Sequence, residues 1–267
     1  MSGTKPAILI VHGGYQLPDT WSHFIDTLQA AGFQARCHRL STCGDTRPPK
    51  ASLADDVITI RNVAIELASS GHSIIVLAHS YGGIVASEAI TPDLYGPPHH
   101  HNSKTGAGAN PGGVIHMIYL SAWLVLKGQS LNDIVQKHGF QSRVDVGFNE
   151  DGTAHAKNAV DSFYNNIEPR SRAEELARAS VTHNWNVVSC KVECAPWLDL
   201  PTTYVFCERD QAILLDLQVK MVRDAREVLV VDAARDIETE TLGTGHCPFL
   251  SMPEKVLGIV EKVAAGL

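Results

Sequence analysis

No stretch of this 267-residue chain approaches the roughly 18 to 20 consecutive apolar residues that a membrane-crossing helix needs. The opening residues Met1-Ser-Gly-Thr-Lys-Pro6 run straight into Ala7-Ile-Leu-Ile-Val11, too short an apolar string for a secretory leader. A cytosolic protein is therefore expected, with no membrane partner. Positive charge is also scarce: 22 Lys and Arg against 29 Asp and Glu leave a net charge of −7, so there is no broad field for a phosphate backbone and nucleic acid is not an expected partner. Cysteine is too sparse for a disulfide framework, with six in a chain of this length. Cys190 and Cys194 stand four apart, but no second Cys or His pair follows at zinc-like spacing, so neither a metal nor another cofactor is expected. What is present is ordinary for a globular domain, with 44% apolar and 19% charged residues.

Short β-branched runs alternate with longer segments of helical period, the pattern of a parallel sheet wrapped by helices. Strands are expected at Ala7–Val11, Gln34–Arg39, Ile74–Ala78, Val114–Leu120, Thr203–Cys207 and Glu227–Val231. Helices are expected over Trp21–Ala31, Leu53–Ala68, Tyr81–Ile90, Gln211–Val222 and Pro253–Ala264. Two stretches break the rhythm. Tyr95 to Gly113 is dense in Gly, Pro and polar residues and contains His99-His-His101, which reads as a solvated, mobile surface loop before it reads as a metal site. From Trp123 to Leu200 no convincing strand appears, and patches such as Val160–Asn166 and Arg170–Ala179 suggest a helical insertion. The expected organisation is a core of residues 1–122 and 201–267 with a helical cap at 123–200. Ligands of open parallel sheets bind beyond the carboxyl ends of the strands, so such a cap would roof the site.

The most informative run is Ile74-Ile-Val-Leu-Ala-His-Ser-Tyr-Gly-Gly83. It offers a strand, then Ser80 between the small residues Ala78 and Gly82, then a helix. A nucleophilic serine in a strained strand-to-helix turn needs small neighbours two residues away on both sides. A serine hydroxyl attacks only when a base takes its proton, and a histidine does so best when a carboxylate holds its other nitrogen. Among 13 histidines, His246 stands out because Gly243-Thr-Gly-His-Cys-Pro248 is a tight turn ahead of the last helix. The carboxylate is sought after an intermediate strand, where Thr203-Tyr-Val-Phe-Cys-Glu-Arg-Asp210 supplies Glu208 and Asp210; Asp210, farther beyond the strand, is preferred. Two backbone N–H groups are needed for a developing oxyanion. Tyr81 follows the nucleophile, and Gly14 lies in the glycine-bearing loop after the first strand, with Tyr15 as second choice. His12 and His79 read as structural histidines, because neighbours along a strand point apart and His79 cannot easily face Ser80. Gly13, Tyr15, Trp123, Trp185 and Trp197 are the candidate walls of a substrate pocket.

With His12-Gly-Gly, Ala78-His-Ser-Tyr-Gly82, Asp210 and Gly245-His246, the chain resembles the α/β-hydrolase superfamily. Within it, the chain is similar to the branch of hydroxynitrile lyases, plant methyl-ester esterases and related microbial esterases, a likeness that extends to Phe163-Tyr164 and to Pro201–Asp210. The resemblance implies the α/β-hydrolase fold and a metal-free enzyme with a largely apolar pocket under a helical cap, acting on a small ester or lactone. The Gly-rich stretch around residues 96 to 113 is longer than the plant pattern. The lyases of this branch carry a threonine after the first-strand histidine and a lysine after the catalytic one. Here those positions are Gly13 and Cys247, and Cys247 cannot supply the charge that holds a departing cyanide. Three readings follow: an esterase or lactonase working through an acyl-enzyme, a non-hydrolytic lyase or cyclase, and a ligand receptor with a vestigial triad. The intact triad weighs against the receptor. The oligomeric state stays open, with a homodimer among the options.

Overall fold

The computed structural model describes residues 5–97, 112–229 and 236–267. Its elements in chain order begin with β1 (Ala7–Val11), α1 (Ser22–Ala30), β2 (Ala35–Cys37), α2 (Leu53–Ser69), β3 (Ser73–Ser80), α3 (Gly82–Ala89) and β4 (Gly113–Ala122). Then come α4 (Leu131–His138), β5 (Val146–Phe148), β6 (Thr153–Ala156), α5 (Ala159–Ser162), α6 (Arg170–Arg178) and β7 (His183–Asn184). The chain closes with β8 (Thr202–Cys207), α7 (Leu215–Leu229), β9 (Ile237–Leu242), α8 (Pro248–Ser251) and α9 (Pro253–Ala265). Six strands form one sheet in the order β2-β1-β3-β4-β8-β9, and every neighbouring pair is parallel.

Alternation within single strands builds both faces of this sheet. Leu9, Val11, Val76, Ala78, Met117 and Tyr119 join one buried cluster with Ile60 and Ala64 of α2, Ile84 of α3 and Met221 of α7. Ile8, Ile10, Ile75, Leu77, Ile118 and Leu120 join another with Phe24 and Leu28 of α1 and Val256 and Val260 of α9. Strands apolar on both faces are what a sheet covered by helices on both sides requires. Strand order reverses between β1 and β3, so the loops leaving their carboxyl ends part there and open a crevice. The loop carrying Gly13 to Gln16 and the turn carrying Ser80 both lie at this point.

Three expectations are corrected. The last strand is not Glu227–Val231: Glu227, Val228 and Leu229 complete α7, and residues 230 and 231 fall outside the described part. The strand is Ile-Glu-Thr-Glu-Thr-Leu at the sheet edge, with Glu238 and Thr239 exposed. An edge strand needs no continuous apolar run, so its charged alternation hid it. The helix expected from Gln211 starts at Leu215, because the Asp210 carboxylate captures the N–H groups of Ala212 and Ile213 and holds a turn ahead of it. The insertion is not wholly helical, for β5, β6 and β7 form a small antiparallel sheet within it. Strands of two to four residues carry too little periodicity to be read from sequence. The triple histidine at 99–101 lies outside the described residues.

Hydrogen bonds on both of its sides tie the insertion to the core. Asp224 of α7 accepts hydrogen bonds from Lys137 Nζ at 2.7 Å and His138 Nε2 at 2.8 Å at the end of α4. On the other side, Val181 N–H donates to Tyr15 O, Gly44 N–H to Thr182 O and Asn184 N–H to Thr42 O. Those three bonds fix residues 181–184 against the loops that follow β1 and β2. Among the described residues no helix is long and apolar enough to cross a membrane.

Candidate active site

Ser80 ends β3 with φ = 52°, a left-handed conformation that costs a non-glycine residue on the order of 1 to 3 kcal/mol. Its surroundings show why the flanking residues are small. A Cβ on Gly82 would lie 2.1 Å from Val11 O, and one on Gly13 would lie 2.9 Å from Ser80 Cβ. The first turn of α3 therefore sits directly against the end of β1, and the loop after β1 directly against the serine. The Ser80 carbonyl accepts from Trp123 N–H at 3.1 Å, which ties the turn to the end of β4.

His246 Nδ1 donates to Asp210 Oδ2 at 2.8 Å, and both side chains are buried. The carboxylate is held from every side. Asp210 Oδ1 accepts from Ala212 N–H at 2.7 Å and Ile213 N–H at 2.9 Å, while Oδ2 also accepts from Ser121 Oγ and from Gln218 Nε2 at 3.4 Å. These bonds satisfy both oxygens of the buried carboxyl group. Glu208, the other candidate acid, is exposed.

Ser80 and His246 meet at a cavity of about 270 Å³ whose walls also include Gly14, Tyr15, Tyr81, Trp123 and Phe163. Residues of the insertion close it: Leu131, Val135, Val146, His183, Trp185 and Val188. Of the candidate wall residues, Tyr15, Trp123 and Trp185 line this cavity. Gly13 and Trp197 are not at this cavity. Gly13 is the spacer beneath Ser80, with a Cβ position 3.0 Å from His79 Nδ1. Trp197 is buried elsewhere, donating its indole N–H to Val125 O at 3.2 Å and bordering a separate groove beside His116 and Pro201. An aromatic residue in an insertion can serve as anchor or as wall, and sequence does not tell the two apart.

Histidines dominate the support of the site. His12 donates Nδ1–H to Gly13 O at 2.8 Å, and its Nε2 accepts from Leu40 N–H at 3.1 Å. Those two bonds fix its tautomer, and burial pushes its pKa down to about 4. His79 is buried against Trp21 and Phe249, and its Nε2 donates to the His246 carbonyl at 2.8 Å. It positions the histidine loop instead of facing Ser80, and burial holds its pKa well below the usual histidine value. Cys247, beside His246, is buried with its Sγ accepting from Gln16 Nε2 at 3.4 Å, and burial raises its thiol pKa. It is a neutral space-filler, unable to act as a cationic anchor.

Four supporting residues escaped the sequence reading. Asp56 of α2 is buried and accepts from Thr42 N–H, Thr42 Oγ1 and Tyr81 Oη, the last at 2.9 Å, so it anchors the residue after Ser80. Ser121, with φ = 42° at the end of β4, and Gln218 of α7 complete the cage around Asp210. Gln218 also clamps Cys207 N–H and the Ile213 carbonyl. His183 of β7 faces Gly14, where an added Cβ would meet its Nδ1 at 2.8 Å. None carries a local motif. Only an acid inside the apolar stripe of α2 marks Asp56 as unusual.

Comparison with known proteins agrees with this architecture. The model of the alpha/beta hydrolase family matches residues 8–259. The chain is similar to alpha/beta hydrolase nvfD of Aspergillus novofumigatus, at 27% identity over 97% of each chain. Among solved structures, polyneuridine aldehyde esterase superposes with a TM-score of 0.73 at 14% identity, covering 97% of this chain and 99% of that one. Tomato methylketone synthase I, solved with 2-tridecanone, gives a TM-score of 0.73 at 14% identity over 99% of both chains. At those identities the structural likeness is one of fold. With the family model spanning nearly the whole sequence and the six-stranded parallel sheet carrying Ser80, Asp210 and His246 at one end, this chain belongs to the alpha/beta hydrolase family.

Proposed function

We propose that the protein is a serine hydrolase that cleaves a carboxylic ester or lactone of a small, largely apolar substrate through an acyl-enzyme. The observation that carries this is the 2.8 Å bond between His246 Nδ1 and Asp210 Oδ2, made at the same cavity where Ser80 stands in a left-handed turn. That bond fixes the proton on Nδ1 and leaves Nε2 with its lone pair as the base. Ser80 Oγ attacks the carbonyl carbon while its proton passes to His246 Nε2, and Asp210 stabilises the resulting imidazolium. The tetrahedral oxyanion is met by the backbone N–H groups of Gly14 and Tyr81. His246 then returns its proton to the leaving alkoxide, and the alcohol departs. A water deprotonated by the same nitrogen opens the acyl-enzyme, releasing the acid and restoring Ser80.

The part of the insertion that closes the cavity acts as its cap. Leu131, Val135, Phe163 and Trp185 offer an apolar enclosure, and about 270 Å³ suits a small ester body. The neutral Cys247 supports hydrolysis over cyanohydrin cleavage, since the residue directly after His246 supplies no positive charge to hold a departing anion.

Labelling with a fluorophosphonate tests the proposal. Ser80 should be modified covalently in the native protein, and Ser80→Ala should lose both labelling and ester turnover while its thermal midpoint changes little. Turnover of esters by Ser80→Ala would overturn the nucleophile assignment, and ligand binding without any acyl-enzyme on rapid quenching would favour a receptor or lyase.

A further inference from the structure

Two polar atoms in the wall of the cavity are unaccounted for by the reaction above. Tyr15 Oη and His183 Nε2 are both buried, and neither has a hydrogen-bond partner among the described residues. Both side chains line the cavity at Ser80, and their rings meet edge to face with centroids 5.5 Å apart. A buried polar atom left without a partner is costly, and persisting examples ask for an explanation. The wall also carries Gln16, Asn132 and Ser142, yet neither atom bonds any of them, so an oxygen of a bound molecule is the partner each lacks.

Resting on the hydrolase reading of this site, we infer that Tyr15 and His183 form a specificity pair that binds a second, neutral oxygen of the substrate, a hydroxyl or oxo group on the carbon α or β to the scissile carbonyl. The placement follows from the backbone. Tyr15 adjoins Gly14 in sequence, and the His183 ring packs on the Cα of Gly14 and lies 4.5 Å from the Tyr81 ring. The pair therefore stands over the two residues assigned to the oxyanion. The geometry is also fixed. Tyr15 is held in a left-handed conformation with φ = 63°, its ring stacks on Phe163 at 5.6 Å, and its carbonyl accepts from Val181 N–H. His183 is pinned by the same strip of insertion backbone and by a β-bridge to Cys43.

Charge sets the chemical class. Burial pushes the His183 pKa down to about 3 and raises that of Tyr15, so both groups are neutral at physiological pH. A neutral imidazole and a phenol can each donate or accept, which suits a hydroxyl or a ketone. Neither compensates a carboxylate or an ammonium, and the apolar walls penalise both. The preferred substrates are accordingly hydroxy or oxo esters, not half-esters of diacids.

Matched esters test this. Ethyl hexanoate is compared with its α-hydroxy, β-hydroxy, β-oxo and ω-hydroxy derivatives, using kcat/KM ratios in the native protein, Tyr15→Phe, His183→Leu and His183→Gln. The native protein should favour an α- or β-oxygenated ester over the parent by roughly tenfold or more, with no such gain for the ω-hydroxy ester. Tyr15→Phe and His183→Leu should each reduce that ratio several-fold, and His183→Gln, which keeps a hydrogen-bonding end, should retain part of it. An unchanged ratio in both Tyr15→Phe and His183→Leu, or a native preference for the parent or ω-hydroxy ester, overturns the pair. If His183→Leu does not fold, the near-isosteric Tyr15→Phe decides.

A binding arm separates this proposal from the hydrolase reading. Calorimetry with Ser80→Ala compares a methyl ketone with its β-hydroxy derivative, neither of which can be hydrolysed. Tighter binding of the hydroxy ketone supports the pair even if no ester is turned over. Equal binding overturns the pair even if esters are hydrolysed.

Discussion

Acid should unfold this protein through its histidines before its carboxylates matter. His12, His116 and His183 are buried, and burial depresses their pKa values to about 4, 4 and 3. In the unfolded chain each returns to a value of about 6.5. A base whose folded pKa is lowered is held neutral by the fold, so its contribution to stability is complete above the unfolded value and is lost as pH falls below it. Between pH 7 and about pH 5 the unfolded state takes up a proton at each of these rings while the native state does not, costing about 2 kcal/mol per histidine by linkage. Three of them remove about 6 kcal/mol from a stability that is typically about 5 to 15 kcal/mol. His79 adds to the loss in the same sense. Asp56, whose pKa burial raises, opposes it, because its folded-state carboxyl gains a proton more readily than the unfolded one. The assay is urea denaturation followed by tryptophan fluorescence at pH 7, 6 and 5, with the midpoint and slope fitted at each. His116 lies outside the cavity and its Nε2 bonds Thr203 Oγ1 at 2.9 Å, so His116→Gln removes one titrating ring while keeping a polar end there. That variant should lose about 2 kcal/mol less than the native protein over the same pH interval. A midpoint that does not move between pH 7 and 5, or an identical pH slope in His116→Gln, would refute the reasoning.

Other outcomes follow from the same geometry. Asp210→Asn should cut kcat by about four orders of magnitude, since an amide donor favours the wrong His246 tautomer, while Glu208→Gln, at an exposed position, should be nearly silent in the same ester assay. Trp185→Ala should change the kcat/KM ratio between short and long acyl chains, because Trp185 walls the cavity. Trp197→Ala should leave that ratio alone and instead lower stability by about 3 to 5 kcal/mol in a thermal melt, as loss of a buried tryptophan does. Gly82→Ala would force a methyl to within 2.1 Å of a backbone carbonyl on β1, so it should destabilise the protein by about 3 kcal/mol or more and abolish activity.

Local chemistry made much of the molecule legible from its sequence. Ala7–Val11 and Ile74–Ala78 are apolar on both faces, which only a doubly covered parallel sheet demands, and both are strands of such a sheet. The strained turn at Ser80 was legible because a tight passage from strand to helix tolerates only small flanking residues, and the loop of His246 because a glycine-rich turn precedes the last helix. The place of Asp210 beyond a strand was legible from the apolar run before it. What the sequence could not decide was anything that depends on which distant segments touch. Asp56 looks like a misplaced acid in a helix until Thr42 and Tyr81 arrive from other elements to bond it. Trp197 and Trp185 are indistinguishable in the chain, and only packing sends one beneath Val125 and the other to the cavity. The edge strand Ile237–Leu242 carries no apolar run because one side of it needs no partner. His183, remote in sequence from every motif, reaches Gly14 because three backbone hydrogen bonds dock its strip of the insertion onto two loops of the core. Periodicity and turn chemistry act over a few residues and so leave their mark in sequence. The partners of a buried polar group are set by long-range packing, and only the tertiary structure names them.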